Sequence, residues 1–207
     1  KILNYRDDII HQFYNKYQFQ FPLYGLYLNE PIFGKKAPQY DKMLNSNDLK
    51  MYLLMCGVKG TSIFELYYSD WMLDQNDNRI VNGFAIKYIE ERFDVLKNSI
   101  KITLNDAYGY SAWSNDRGTI ALRNPTENTF DVKFNLNSDI GVPESIPTIY
   151  RNEIFKYKTT AYSNNNRAQK YNDEITITLL PHEVRIIDFN PPSIKMAVEV
   201  DTIKIIN

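Results

Sequence analysis

Apolar residues recur at helical spacing through the first half of this chain and at every second position through the second half. In NYRDDIIHQFYNKYQ, Ile9, Ile10, Phe13, Tyr14 and Tyr17 lie three or four apart, Asn4 is placed to cap, and Asp7 follows three residues on. That pattern predicts a helix with acids in its first turn, where Asp7 and Asp8 complement the macrodipole. FPLYGLYLNEP is short, apolar and bounded by prolines, which predicts a buried strand ending near Leu28. NSNDLKMYLLMCG predicts a second helix, capped by Asn45 or Ser46 and stopped by Gly57. TSIFELYYS predicts another buried strand. NDNRIVNGFAIKYIEERFDVLKN predicts the longest helix, with an apolar stripe through Val81, Phe84, Ala85, Tyr88 and Leu96. The order helix–strand–helix–strand–helix is the mark of parallel βα units.

After Leu96 the period changes to two. Phe130, Val132, Phe134 and Leu136 alternate with polar residues, as do Ile175, Ile177 and Leu179, and Met196, Val198 and Val200. One face is set to pack and the other to meet water, as in an antiparallel sandwich. SNDRG reads as a hairpin loop with Gly118 at its end, and RNPTEN as a turn with Pro125 at its second position. TTAYSNNNRAQKYND reads as a long polar loop. The chain therefore reads as α/β followed by all-β, with a boundary between residues 98 and 99 and a sandwich expected to hold a core of its own.

Composition narrows the function classes. The chain has 207 residues, 43% of them apolar, so a sizeable core is expected. A net charge of −1 with interspersed signs argues against a nucleic-acid or anionic-membrane surface. No run of about 18 apolar residues is present to span a bilayer. The single cysteine, Cys56, lies in an apolar run and reads as a small buried hydrophobe. His11 and His182 are far apart with no ligand spacing, and no glycine-rich phosphate loop occurs, so neither metal nor cofactor is expected.

YRDDIIHQFYNKYQFQFPLYGLYL, GVKGTSIFELYYSDWML, YGYSAWSNDRGTIALRNPTENTFDVKFNL and ITLLPHEVRIIDF follow one another in an order that resembles the C-terminal portion of bacterial melibiase-type (α-galactosidase-like) glycoside hydrolases. The resemblance spans nearly the whole chain, to about Asn190. It implies that residues 1–98 are the last βα units of a (β/α)8 barrel and residues 99–207 a C-terminal antiparallel β-sandwich. FPLYGLYL would be the seventh barrel strand and TSIFELYY the eighth. It further implies a glycoside hydrolase acting on α-linked sugars, whose two catalytic aspartates stand on earlier strands, so that this segment alone is inactive. Two strands cannot close a barrel of eight. Residues 1–98 are thus expected to be covered by the remainder of the same polypeptide or by another chain.

Barrel enzymes carry their chemistry at the C-terminal ends of strands. Here those ends supply Asn29 and Glu30 from LNEP, and Asp70 and Trp71 from YYSDW, the candidate carbohydrate-substrate contacts. A tryptophan beside an aspartate suits a sugar: the ring stacks on an apolar sugar face while the carboxylate accepts hydroxyl bonds. The plainer alternative has Trp71 packing a strand–helix junction and Asp70 solvated. Glu65, inside the eighth strand, reads as a structurally paired carboxylate. Tyr108, Tyr110 and Trp113 read as core or as the seam with a neighbouring element, with sugar binding on the sheet face as the alternative. The rival for the chain as a whole is a non-catalytic carbohydrate-binding or interaction module, with a helical cap on a β-sandwich.

Overall fold

The computed structural model describes residues 7–17, 23–25, 27–28, 32–33, 46–61, 63–64, 67–68, 73–74, 78–157 and 167–192. Among the described residues four α-helices precede the main sheet: α1 (Asp7–Tyr17), α2 (Ser46–Val58), α3 (Asn78–Glu91) and α4 (Phe93–Leu96). Interleaved with them are the short strands β1 (Tyr27–Leu28), β2 (Ile32–Phe33), β3 (Ile63–Phe64) and β4 (Tyr67–Tyr68). β1 pairs with β3 and β2 with β4, both in parallel. The first predicted strand is present at Tyr27–Leu28, ending where the sequence places it. Leu23–Gly25 forms a 3-10 turn, and the strand pairing resumes past Leu28 at Ile32.

Helix α2 is buried over nearly all of its second half, because α3 covers one side and the sheet another. Gly57 does not stop it, contrary to the sequence reading. A Cβ there would stand 2.3 Å from Ile89 Cγ1, so the missing side chain is what lets α2 and α3 touch. The stop is Gly60, with φ +71°, whose N–H donates to the Gly57 carbonyl at 3.1 Å. The longest predicted helix is likewise broken. Arg92, at φ −114° and ψ 8°, separates α3 from α4 while its buried side chain reaches the sheet.

The chain then turns to antiparallel strands: β5 (Ile100–Leu104), β6 (Ala107–Trp113), β7 (Gly118–Arg123), β8 (Phe130–Asn135), β9 (Ile149–Lys156), β10 (Ala168–Gln169), β11 (Glu174–Leu179) and β12 (Val184–Asn190). Six form a sheet in the order β10-β9-β12-β7-β6-β5, and β8 pairs with β11 separately. Among the described residues no α-helix follows Leu96, as the change of period predicts. The alternation in β8 and β11 holds: Val132, Phe134, Ile175, Ile177 and Leu179 are buried and the intervening residues exposed. Met196, Val198 and Val200 lie outside the described residues.

The SNDRG hairpin forms as read, with Ser114 N–H donating to the Arg117 carbonyl. Gly118 sits opposite Trp113, whose ring occupies the space a Cβ would need. The RNPTEN turn is built around Asn124. Its Nδ2 donates to the Asn128 and Leu180 carbonyls at 2.7 and 2.9 Å, and its Oδ1 accepts from the Thr126 amide.

Both faces of the six-stranded sheet are covered. On one, Trp113, Ile120, Leu122, Ile187 and Phe189 meet the buried residues of β8 and β11. On the other, Tyr110, Ala121, Ile154, Phe155 and Ile186 meet Leu49, Leu53, Tyr88 and Ile89 of α2 and α3. The face toward β8 and β11 holds a core drawn wholly from residues after the change of period, and the opposite face is completed by residues that precede it.

Candidate functional site

Asn29, Glu30, Asp70 and Trp71 lie outside the described residues, as does Glu65, and only the strands that flank them are placed. Leu28 stands beside Phe64, and Phe33 beside Tyr68. In sequence Asn29 and Glu30 stand between β1 and β2, and each of these strands pairs in its own two-stranded sheet. Asp70 and Trp71 follow the end of β4 in sequence.

The described residues bring together a different group of charges, where α1 meets the sheet. Asp7 and Asp8 are the first two residues of α1, acids of its first turn as the sequence predicts, and they are also buried, at 1% and 9% exposed. Lys59, in the link after α2, places Nζ 2.5 Å from Asp7 Oδ1. The Tyr108 hydroxyl lies 2.6 Å from Asp7 Oδ2 and 2.5 Å from Asp8 Oδ1, and the Tyr110 hydroxyl donates to Asp7 Oδ1 at 3.2 Å. Arg123 Nε approaches Asp8 at 3.4 Å, and Arg123 Nη1 donates to the His182 carbonyl. The His11 ring stacks on Tyr108 at 4.1 Å. Tyr108 and Tyr110 thus take the seam role, from alternate positions of one strand face; Trp113 faces the other way, into the core beside Phe189.

Burial sets the electrostatics. It pushes the Tyr108 and Tyr110 hydroxyls far above the usual range, with Asp7 adding to both, so each acts as a donor and not as a phenolate. Burial pulls the Lys59 ammonium down, but Asp7, Tyr110 and Cys56 outweigh it and hold the amine well above its ordinary value. Burial and nearby Lys101 bring His11 down to about 4 against the pull of Asp7 and Asp8. Every carboxylate here is engaged by a protein donor. The cluster fastens a helix to a sheet and offers no open pair of carboxylates to a substrate.

A second polar cluster joins α3 to the sheet. Arg92 donates from Nε to Thr119 Oγ1 at 2.6 Å, from Nη1 to Asn190 Oδ1 at 3.0 Å and from Nη2 to the Gly118 carbonyl at 2.5 Å. Its Nε also lies 3.0 Å from Asp188 Oδ1, which accepts from Tyr88 and Thr119. Burial raises Asp188 despite those partners. Sequence reasoning missed Lys59, Arg92, Arg123 and Asp188 as buried. The available signal was a charge at an apolar-face position: Arg123 closes the strand GTIALR and Asp188 interrupts VRIIDF. Among the described residues no cluster of histidine, cysteine, aspartate or glutamate is placed to hold a metal. Among the described residues no helix is long and apolar enough to cross a membrane.

No protein-family model matches the chain, and no curated protein matches it. Solved structures do. α-Galactosidase I from Mortierella vinacea aligns at 12% identity and a TM-score of 0.46, over 70% of this chain and 36% of that one. A GH27 β-L-arabinopyranosidase from Geobacillus stearothermophilus aligns at 13% identity and a TM-score of 0.46, over 73% of this chain and 32% of that one. The chain spans about a third of the length of these structural neighbours, which are glycoside hydrolases.

Proposed function

We propose that this chain is the C-terminal segment of a glycoside hydrolase acting on α-linked sugars. In this reading residues 1–98 are the last βα units of a (β/α)8 barrel, and residues 99–207 are an accessory β-sandwich. The observation that carries it is the parallel register of Tyr27 with Ile63 and Phe33 with Tyr68, bridged in sequence by α2. Parallel neighbours joined through a helix are the βαβ unit of barrels and doubly wound sheets. Here that unit is followed by an antiparallel sheet, in the order that the sequence motifs suggest. Trp71 then stacks on a sugar face, Asp70 accepts hydroxyl bonds, and Asn29 and Glu30 line the neighbouring strand end. The nucleophile and acid/base aspartates stand on earlier strands of the whole enzyme. Ile9 and Tyr17 of α1, each more than half exposed, suit a helix with a further neighbour.

The test is an assay with a nitrophenyl α-galactoside. The 207-residue chain alone is expected to give no turnover above background. Joined to preceding βα units, it is expected to hydrolyse the substrate, with kcat/KM reduced by Asp70→Asn. Robust turnover by the isolated chain, lost on Asp70→Asn, would place the catalytic centre here and overturn the reading.

A further inference from the structure

Helix α1 is fastened to the sheet at one end, and by charge. Asp7 and Asp8, in its first turn, carry the contacts to Lys59, Tyr108, Tyr110 and Arg123, and His11, one turn on, stacks on Tyr108. The apolar stripe points the other way. Ile9, Phe13 and Tyr17 follow one another at four-residue spacing and are 51%, 53% and 57% exposed, with the Phe13 and Tyr17 rings 4.7 Å apart. Among the described residues no α1 side chain enters either buried apolar cluster. A surface helix ordinarily docks by its apolar stripe. Here the stripe faces away and the attachment is ionic.

Such an attachment opens differently from an apolar one. Parting α1 from the sheet returns Asp7, Asp8, Lys59 and Arg123 to water, and their hydration offsets much of what the lost contacts gave. Neither apolar cluster loses a member, and the sheet loses no strand. Once undocked, an 11-residue helix falls below the length of about 12–15 residues at which isolated helices persist in water. It would unwind as it leaves.

The departure also takes up a proton. His11 is faced by Asp7 and Asp8 of its own helix, by Lys101 of β5 and by Tyr108 of β6, while Lys59, Tyr110 and Arg123 act on it through the two aspartates. Burial and Lys101 hold the docked imidazole at about 4, whereas a solvated one takes its proton near about 6.5. The docked value is the lower, so acid favours the undocked helix between about pH 6.5 and 4. Lys101, brought down to about 8 by burial, is charged across that window in either state. Burial keeps the Tyr108 and Tyr110 hydroxyls protonated throughout. On the two histidine values, the undocked fraction rises about twentyfold from pH 7 to pH 5. We propose that α1 is a detachable clasp, which on mild acidification lets go of the sheet and unwinds while β5–β12 stay folded. This does not rest on the glycosidase reading.

The experiment is native-state hydrogen exchange of the 207-residue chain, read amide by amide by NMR at pH 7, 6 and 5 and at low urea. Amides in the last two turns of α1 are expected to be less protected than those of β6, β7 and β12. Their protection should be nearly insensitive to urea, as a local opening is, and about twentyfold lower at pH 5 than at pH 7 after correction for intrinsic rates. His11→Gln should remove most of that pH response. Tyr108→Phe keeps the ring but takes a hydroxyl from Asp7 and Asp8, so α1 opening at pH 7 should rise about tenfold or more; it serves as the second variant if His11→Gln does not fold. The proposal is overturned if α1 and sheet amides share one protection and one urea dependence, because helix and sheet then open only together. Equal α1 protection at pH 7 and pH 5 overturns it, as does a full pH response in folded His11→Gln.

Discussion

Lys59 Nζ lies 2.5 Å from Asp7 Oδ1, with the two side chains 5% and 1% exposed. The pair joins the link after α2 to the first residue of α1, where Tyr108 and Tyr110 also converge from the sheet. Removing one member leaves the other as an uncompensated buried charge, which costs about 3–5 kcal/mol. Lys59→Met is therefore expected to lower the urea midpoint strongly. Adding Asp7→Asn should recover part of the loss, because the stranded charge is removed. A double variant as unstable as the sum of the singles would mean that the pair is not coupled.

His11 makes stability depend on pH across a definite window. An unfolded histidine takes its proton near about 6.5, whereas burial and Lys101 delay the folded one to about 4. Between these values the unfolded chain binds the extra proton, so stability falls as pH drops from about 6.5 toward 4. Asp7, Asp8 and Lys101 act on the ring and Tyr108 stacks on it, and all four are unchanged in a His11→Gln variant. That variant should show a flatter dependence of the denaturation midpoint on pH over this window. An unchanged slope would remove His11 as the cause.

Gly57 carries a packing prediction. Its substitution by alanine directs a methyl group into Ile89, 2.3 Å from Cγ1. Overfilling of this kind costs about 1–3 kcal/mol. Ile89→Ala alone should also destabilise, by opening a cavity. Combined, the two should be less harmful than their sum, since the new methyl enters the space that Ile89 vacates. Additive losses in thermal or chemical unfolding would show that α2 and α3 do not meet there.

The residues on either side of the change of period near Asn98 share one buried face. Cutting there bares the face that holds Tyr110, Ala121, Ile154, Phe155 and Ile186, together with Arg123 and Asp188. At roughly 25 cal/mol per Å², a few hundred Å² of such surface amounts to several kcal/mol, comparable to a small domain's whole stability. Expressed separately, residues 1–98 and 99–207 are both expected to aggregate or to bind a hydrophobic dye. Co-expression should restore a soluble complex. A cooperative melt of 99–207 alone would restore the idea of an independent sheet domain.

Helices and strands were legible wherever one face meets water. Val132, Phe134, Ile175 and Ile177 alternate cleanly because the outer side of β8 and β11 is exposed. The Arg92 break was not legible, because its cause lies on strands 26 to 98 residues away in sequence. Gly57 read as a helix stop because a glycine near a helix end has two meanings, and only the position of Ile89 separates them. Asp7 and Asp8 read as ordinary first-turn acids for the same reason: Tyr108, about a hundred residues on, decides that they are enclosed. The charges placed with α1 came from tertiary packing, while the proposed sugar contacts at Asn29, Glu30, Asp70 and Trp71 rest on motif order.

Arg92 has a mechanical consequence. Its guanidinium grips β7 through Thr119 and Gly118 and β12 through Asn190 and Asp188, at the point where the helical path breaks. A pull applied to α3 is shared between two strands at once and carried along the sheet by their ladder. The contacts load in parallel, so the helix cannot be peeled away one bond at a time. Under tension α3 and the centre of the sheet yield together, as a single abrupt rupture.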